Sequence, residues 1–403
     1  QKKYRINYKP TLFVPVGKES KYKTLDGRNV GKIKFNSMPE ATKWVNEYKN
    51  VTNFEYFGNT RHQYPFIADE FQGKVDWDIN QIKILTIDIE CESENGFPSP
   101  EKADQPLICI TVKDHISKKI IVFGMGNFVN DREDVQYIDC VTETGLVEIF
   151  TKFWVEYNPN IITGWNVKFF DIPYLMNRFR YLMGDDWLNQ FSPWGVVEQK
   201  SASVLFASQE QQVWNILGVD TLDYLDLYRK YAFVRRESYK LDHIGEVELG
   251  QNKLENPYDT FKEFYSNDYQ RFVEYNIQDV ELVDKLEDKL QLIVLFLTMA
   301  YEAKVNYQDV FGQVRIWDCI IYHHLRSKNI VPPAIQESKF SDGYEGAYVK
   351  DPVVGFHDWV CSFDLNSLYP HLIMQYNISP ETMVGFEPNR VNVENMLNQK
   401  SDL

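Results

Sequence analysis

The sequence predicts a multidomain protein of mixed α/β and α+β class. Three observations carry that expectation. A chain of 403 residues, 44% hydrophobic and 15% aromatic, holds enough apolar material for two or three cores. Strand-like and helical patterns alternate between Ile82 and Gly250, the mark of an α/β domain. Turn-rich breaks at Pro332-Pro333 and Ser341-Asp-Gly-Tyr-Glu-Gly346 then set off the C-terminal part of the chain.

Residues 1 to about 80 mix short strand patterns, of which Thr11-Leu-Phe-Val-Pro-Val16 is the clearest, with turns such as Asp26-Gly27, and read as a small α+β module. In its first 35 residues Lys2, Lys3, Arg5, Lys9, Lys18, Lys21, Lys23, Arg28, Lys32 and Lys34 outnumber Glu19 and Asp26. A solvated strand face explains them more simply than a binding surface. Strands are predicted over Ile82 to Ile89, Leu107 to Val112 and Ile120 to Phe123, and Ile172, Leu175, Met176, Phe179, Leu182 and Met183 mark one face of a helix. A long helix is predicted from Asp268 to about Lys304, apolar on all sides near Leu292 to Leu297, as at a domain junction. Beyond the break, a strand over Trp359 to Phe363 is expected with a helix behind it.

A net charge of -15 argues against coating duplex DNA, because binding through phosphates needs Lys and Arg to release counterions. Five widely spaced cysteines suggest neither a disulfide framework nor a zinc site, and fit a reducing cytoplasm. No apolar signal core follows Gln1, and the run Leu290 to Met299 is too short to span a bilayer, so no membrane partner is expected. A first residue other than Met suggests a start inside a longer reading frame.

The chemistry is carried by acids. In Ile84-Leu-Thr-Ile-Asp-Ile-Glu90 the spacing of two puts Asp88 and Glu90 on one face of a strand. Side by side among Ile and Leu, they raise each other's pKa unless a cation sits between them, and hard oxygen ligands suit Mg²⁺ or Mn²⁺. For D-x-E alone, a strand end reaching solvent is the simpler explanation. In Thr163-Gly-Trp-Asn-Val-Lys-Phe-Phe-Asp171 a strand passes through Gly164 into a turn, and Asp171 reads as an N-cap with Pro173 in the first turn. Asn166 and Phe170 are unusually specific for a mere cap, since an amide and a ring beside an acid suit recognition of a strand end. In Tyr275-Asn-Ile-Gln-Asp279 the helical spacing of four brings Tyr275 and Asp279 to one face, which alone describes an ordinary solvated helix.

The ordered set, strand D-x-E, then N-x-x-x-F-D, then helical Y-x-x-x-D, resembles the proofreading exonuclease of the family B DNA polymerases. The resemblance implies a ribonuclease H-like 3′→5′ exonuclease domain over residues 83–291. It also implies a discontinuous N-terminal domain over 1–82 and 292–335, and the beginning of a polymerase palm over 336–403. Two metal ions, Mg²⁺ or Mn²⁺, are implied, one on Asp88, Glu90 and Asp279, the other on Asp88 and more loosely Asp171, with Tyr275 orienting the attacking water. Lys253 matches the family's exonuclease-site lysine, and Phe97 is a candidate wedge against the terminal base. The segment Ser203 to Gly218 corresponds to a β-hairpin that helps part primer from template. Tyr228, Arg229, Lys230, Tyr231, Phe233, Arg235, Arg236, Tyr239 and Lys240 offer charge and stacking together, or the packing of a helix-loop element.

Further on, Ser362-Phe-Asp-Leu-Asn-Ser-Leu-Tyr-Pro370 resembles the first polymerase motif of the family. By resemblance Asp364 binds metal, Leu365, Ser367, Leu368 and Tyr369 belong to the nucleotide site, and Tyr344 and Gly346 sit in a linker motif that touches template. His371 stands where the family often has Ser. The family's later motifs, including the D-T-D hairpin, are not reached by Leu403, so this chain alone is not expected to polymerise. The resemblance is nearest to the T-even-type bacteriophage branch. It implies as partners the single-stranded 3′ end of primer DNA, primer-template DNA and a C-terminal polymerase portion on the same gene or a separate chain, in the cytoplasm of an infected bacterial host. A stand-alone DNA or RNA exonuclease, and an RNA-binding module without catalysis, remain open alternatives.

Overall fold

The computed structural model describes residues 6–93, 96–203, 210–334, 348–379 and 382. The chain divides into two compact units, Gln1–Ile335 and Gln336–Leu403.

The first unit opens on strands β1 (Thr11–Pro15), β2 (Tyr22–Thr24) and β3 (Asn29–Lys34), in which Leu12, Phe13 and Val30 are buried and Lys23, Lys32 and Lys34 exposed. Lys9, Lys18, Lys21, Lys23, Lys32 and Lys34 all face solvent, as the simpler reading of the basic bias expects. Helix α1 (Met38–Tyr48) is capped by Ser37, whose side chain accepts the Glu40 N–H, and packs Ala41 and Trp44 on Leu12 and Phe35. Helix α2 (Gln63–Glu70) follows.

A six-stranded sheet comes next, built from β4 (Ile84–Cys91), β5 (Leu107–Asp114), β6 (Ile120–Gly124), β7 (Val135–Asp139), β8 (Ile161–Gly164) and the later β11 (Asp220–Asp223). Its order is β11-β8-β4-β5-β6-β7. β4 runs parallel to β8 and antiparallel to β5, with a register irregularity at Glu90/Cys91. Helix α3 (Glu143–Tyr157), capped by Thr142, and helix α4 (Asp171–Met183) cover one face, burying Phe150, Trp154, Leu175 and Phe179 against Leu85, Ile87 and Ile89. A short α5 (Asp185–Leu188) leads to a hairpin of β9 (Val197–Ser203) and β10 (Glu210–Ile216). The hairpin's first strand therefore precedes the segment expected from Ser203, because a ladder needs two strands of matched length and the second alone carries the apolar signal of Trp214 and Ile216.

After α6 (Tyr224–Tyr231), α7 (Leu241–Leu249) and α8 (Phe261–Asn267), helix α9 (Tyr269–Leu290) crosses the other face of the sheet. The single helix expected to Lys304 is two. Gln291 adopts a left-handed φ of 51° and a separate helix α10 (Leu292–Ala303) begins. The buried Glu287 carboxylate makes this break possible by accepting the N–H groups of Ile293 (3.0 Å) and Val294 (3.3 Å) at the new N-terminus. Helix α11 (Gln313–Ser327) then returns the chain to the first sheet, where β12 (Ile330–Val331) pairs in parallel with β2. Among the described residues no helix is long and apolar enough to cross a membrane.

In the second unit the described residues form one helix, α12 (Leu368–Tyr376). The strand expected over Trp359 to Phe363 is absent, since no other described segment offers it a ladder. Tyr344 and Gly346 lie outside the described residues.

Candidate active site

Strand periodicity splits β4 into two chemistries. Leu85, Ile87, Ile89 and Cys91 point into the core under α3 and α4, while Thr86, Asp88 and Glu90 take the alternate face, toward α9. β8 stops short: its pairing with β4 ends at Thr86↔Thr163, and Gly164 turns the chain away. A Cβ on Gly164 would lie 2.4 Å from both the Ile87 carbonyl oxygen and Val167 Cγ1, so only glycine passes here.

The backbone of β4 that β8 abandons is taken up by a side chain. Asp171 Oδ1 accepts the Ile89 N–H at 3.1 Å. Asp171 is thus the first helical residue of α4 and not its N-cap; Phe170 holds that position, without a side-chain cap. The Asp171 carboxylate thus bridges strand and helix, its anion favoured by the Ile89 N–H and by its own backbone N–H.

From the opposite side, α9 brings Tyr275, Asn276 and Asp279 down on β4. Oxygens of Asp88, Glu90 and Asp279 lie within 4.8 Å of one another. Lys253, on the loop after α7, contacts Asp279 Oδ2 and lies 3.3 Å from Tyr275 Oη. Its loop is clamped to α9 by Gln278, which accepts the Leu254 N–H at 2.5 Å and donates to the Asn252 carbonyl at 3.0 Å. The acids and this lysine line one cleft of about 550 Å³ with Phe97, Trp165, Asn166, Phe170, Phe261 and Tyr275. Phe97 is 85% exposed, with its ring centroid 5.3 Å from that of Phe170.

The electrostatics follow from this crowding. Burial, then the charges of Asp279, Asp171 and Glu90, push Asp88 well above the usual carboxylate range. Burial and Asp279 raise Glu90 to about 8, against the opposing pull of Lys253. Burial lifts Asp171 to about 7 although the Ile89 N–H favours its anion, and burial also raises Asp279 in spite of Lys253. Lys253 itself resists desolvation and is held above its ordinary value by Asp279, Tyr275 and Asp88. Burial raises the Tyr275 phenol to about 12. One ammonium cannot neutralise four acids, and Asp279 Oδ1 is buried with no hydrogen-bond partner among the described residues. An orphaned oxygen among hard donors fits a divalent cation.

Residues 42–244 match the family model of the DNA polymerase family B exonuclease domain, half of the chain. This chain belongs to DNA polymerase family B. A second family B match covers residues 308–401. The DNA-directed DNA polymerase of Escherichia phage RB69 is 33% identical over 94% of this chain and 44% of its own length, and that of Enterobacteria phage T4 is 32% identical over the same shares. The DNA polymerase delta catalytic subunit of Caenorhabditis elegans is 27% identical over 76% of this chain and 29% of its own. The chain thus spans under half the length of the relatives it matches.

Two residues escaped the motif reading. Asp223 is buried and caps α6, and its oxygens accept the N–H groups of Asn166, Lys168 and Leu225 at 2.9–3.0 Å, fixing the turn that carries Asn166 and Phe170. Asn276, fully buried on α9, donates to Asp88. The basic and aromatic group after β11 divides. Tyr228, Arg236 and Lys230 are engaged with Glu248 and the Phe311 carbonyl, and pack, whereas Phe233 is 87% exposed. In the second unit Asp364, Leu365 and Tyr369 are exposed, Ser367 has a left-handed φ of 52° and no capping bond, and Leu368 opens α12. Asp364 joins no cluster of acids among the described residues.

Proposed function

We propose that this chain is the N-terminal and editing portion of a phage-type replicative family B DNA polymerase, and that it hydrolyses nucleotides from the 3′ end of single-stranded primer DNA. The observation that carries this is the convergence of Asp88, Glu90 and Asp279 in an aromatic cleft, with an Asp279 oxygen that has no hydrogen-bond partner among the described residues. Asp88, Glu90 and Asp279 would hold one Mg²⁺ or Mn²⁺, and Asp88 with Asp171 a second. Bound there, such ions would supply Lewis-acid activation of water and charge stabilisation at the departing oxygen. Tyr275, with Lys253 3.3 Å from its hydroxyl, orients the attacking water. Phe97 and Phe170 stack against the terminal bases, and Asn166 hydrogen-bonds to the strand.

The six-stranded sheet is read as a ribonuclease H-like exonuclease domain over residues 83–291. Pairing of β12 with β2 supports an N-terminal domain made of 1–82 and 292–335. Residues 336–403 begin the palm, where Asp364, Leu365, Ser367, Leu368 and Tyr369 serve a nucleotide and Tyr344 and Gly346 the template. A C-terminal polymerase portion completes that second site on primer-template DNA, in the cytoplasm of an infected bacterium. The test is digestion of a 5′-labelled single strand with and without magnesium: laddering from the 3′ end that requires magnesium and vanishes in Asp88→Ala supports the reading, and an unchanged rate in Asp88→Ala refutes it.

A further inference from the structure

The two β4 carboxylates meet an amide, and that amide is oriented from behind. Asn276 Nδ2 donates to Asp88 Oδ2 at 2.5 Å, and the Asn276 side chain also hydrogen-bonds to the Glu90 carboxylate. On its far side Asn276 Oδ1 accepts from Cys109 Sγ at 3.5 Å, and Cys109 Sγ in turn lies 3.8 Å from Thr111 Oγ1. Asn276 and Cys109 are both 0% exposed, so neither has water as a substitute partner. The reverse orientation of the amide would set an acceptor oxygen against Asp88 Oδ2. Only the observed one presents N–H groups to the acids.

We propose that Asn276 is a positioning residue that aims the Asp88 and Glu90 carboxylates at a divalent cation, with Cys109 setting its orientation. The inference rests on the metal-dependent function proposed for this site. Donors and acceptors match in number: an amide nitrogen has two hydrogens, and Asp88 and Glu90 each need one oxygen restrained while the other stays free for the cation. Lys253 is placed otherwise: its ammonium contacts Asp279 and lies 3.3 Å from Tyr275 Oη. An apolar residue at 276 would leave both carboxylates free to rotate away from one another. An acid there would add a fifth negative charge. Position 276 sits one residue after Tyr275 and three before Asp279 on α9, so the helix delivers the orienting amide and the Asp279 ligand together. Partners of metal ligands at this remove set affinity by about 10- to 100-fold.

The experiment is calorimetric titration of Mn²⁺ into the whole chain, paired with nuclease rates over a range of Mn²⁺ concentrations. Asn276→Leu keeps the number and branching of side-chain heavy atoms and removes the donor. It is expected to weaken Mn²⁺ binding about 10- to 100-fold, while anisotropy of a fluorescent single strand in chelator stays unchanged and excess Mn²⁺ restores the rate. Restoration by metal is a response that a purely structural defect would not give. Cys109→Val, which frees the amide without touching it, is expected to weaken Mn²⁺ binding in the same direction by a smaller factor, and it decides the matter should Asn276→Leu fail to fold. Unchanged Mn²⁺ affinity in Asn276→Leu, or in Cys109→Val if only that variant folds, overturns the positioning role and leaves the nuclease reading intact. A wild-type chain that takes up no Mn²⁺ overturns both.

Discussion

Replacing Glu90 with Gln removes one titratable carboxyl from a site that, without metal, has too many. Burial and Asp279 raise the Glu90 carboxyl from 4.5 to about 8. Across that window the folded protein holds a proton that the unfolded chain releases, so stability falls as pH rises from 4.5 to about 8 and levels off above it. At about 1.4 kcal/mol per unit between 4.5 and 7, the proton uptake that folding imposes on Glu90 costs about 3 kcal/mol at neutral pH. Asp88 and Asp279 titrate with it, so the share released by one substitution is about 1–3 kcal/mol. In chelator at pH 7, Glu90→Gln should therefore melt a few degrees above wild type, and the two should converge near pH 4.5. Saturating Mn²⁺ should raise the wild-type melting temperature more than that of the variant. A variant that melts below wild type in chelator at pH 7 would refute the reasoning, because it would mean that Glu90 is a net stabiliser without a cation.

Other expectations rest on single contacts. Phe97→Ala should leave the melting temperature unchanged, since the ring is exposed, but weaken binding of a single-stranded end by about 1–3 kcal/mol, read as KM or anisotropy. Asp223→Ala should strip three backbone N–H groups of their buried acceptor and lower stability by about 2–4 kcal/mol, with a loss of nuclease rate from the displaced Asn166 and Phe170 turn. Gly164→Ala should either fail to fold or melt well below wild type, as its Cβ has no room beside Ile87. Lys253→Met should lower melting in chelator at pH 7, by removing the cation nearest Asp279.

Much of the site was legible because its signals are short-range. A period of two sets Asp88 and Glu90 on one face of β4, and a period of four sets Tyr275 and Asp279 on one face of α9. Asp171 misled because D-I-P is a local helix-start pattern, whereas its partner, the Ile89 N–H, lies 82 residues away. The break between α9 and α10 carries no Gly or Pro; it depends on Glu287 reaching past Gln291 to a helix terminus, a tertiary arrangement. The strand expected at Trp359 to Phe363 had an apolar pattern but needs a neighbour to become a strand. Asn276 and Cys109 escaped notice because a single buried amide or thiol has no periodic mark, and only the meeting of β5 with α9 gives them a role.

The most direct measurement is anomalous diffraction from crystals of the wild-type chain equilibrated with Mn²⁺. A manganese peak is predicted between oxygens of Asp88, Glu90 and Asp279, within coordination distance of each. A crystal in which manganese binds elsewhere, or in which those three carboxylates remain without it at millimolar Mn²⁺, would contradict the assignment of these acids as metal ligands.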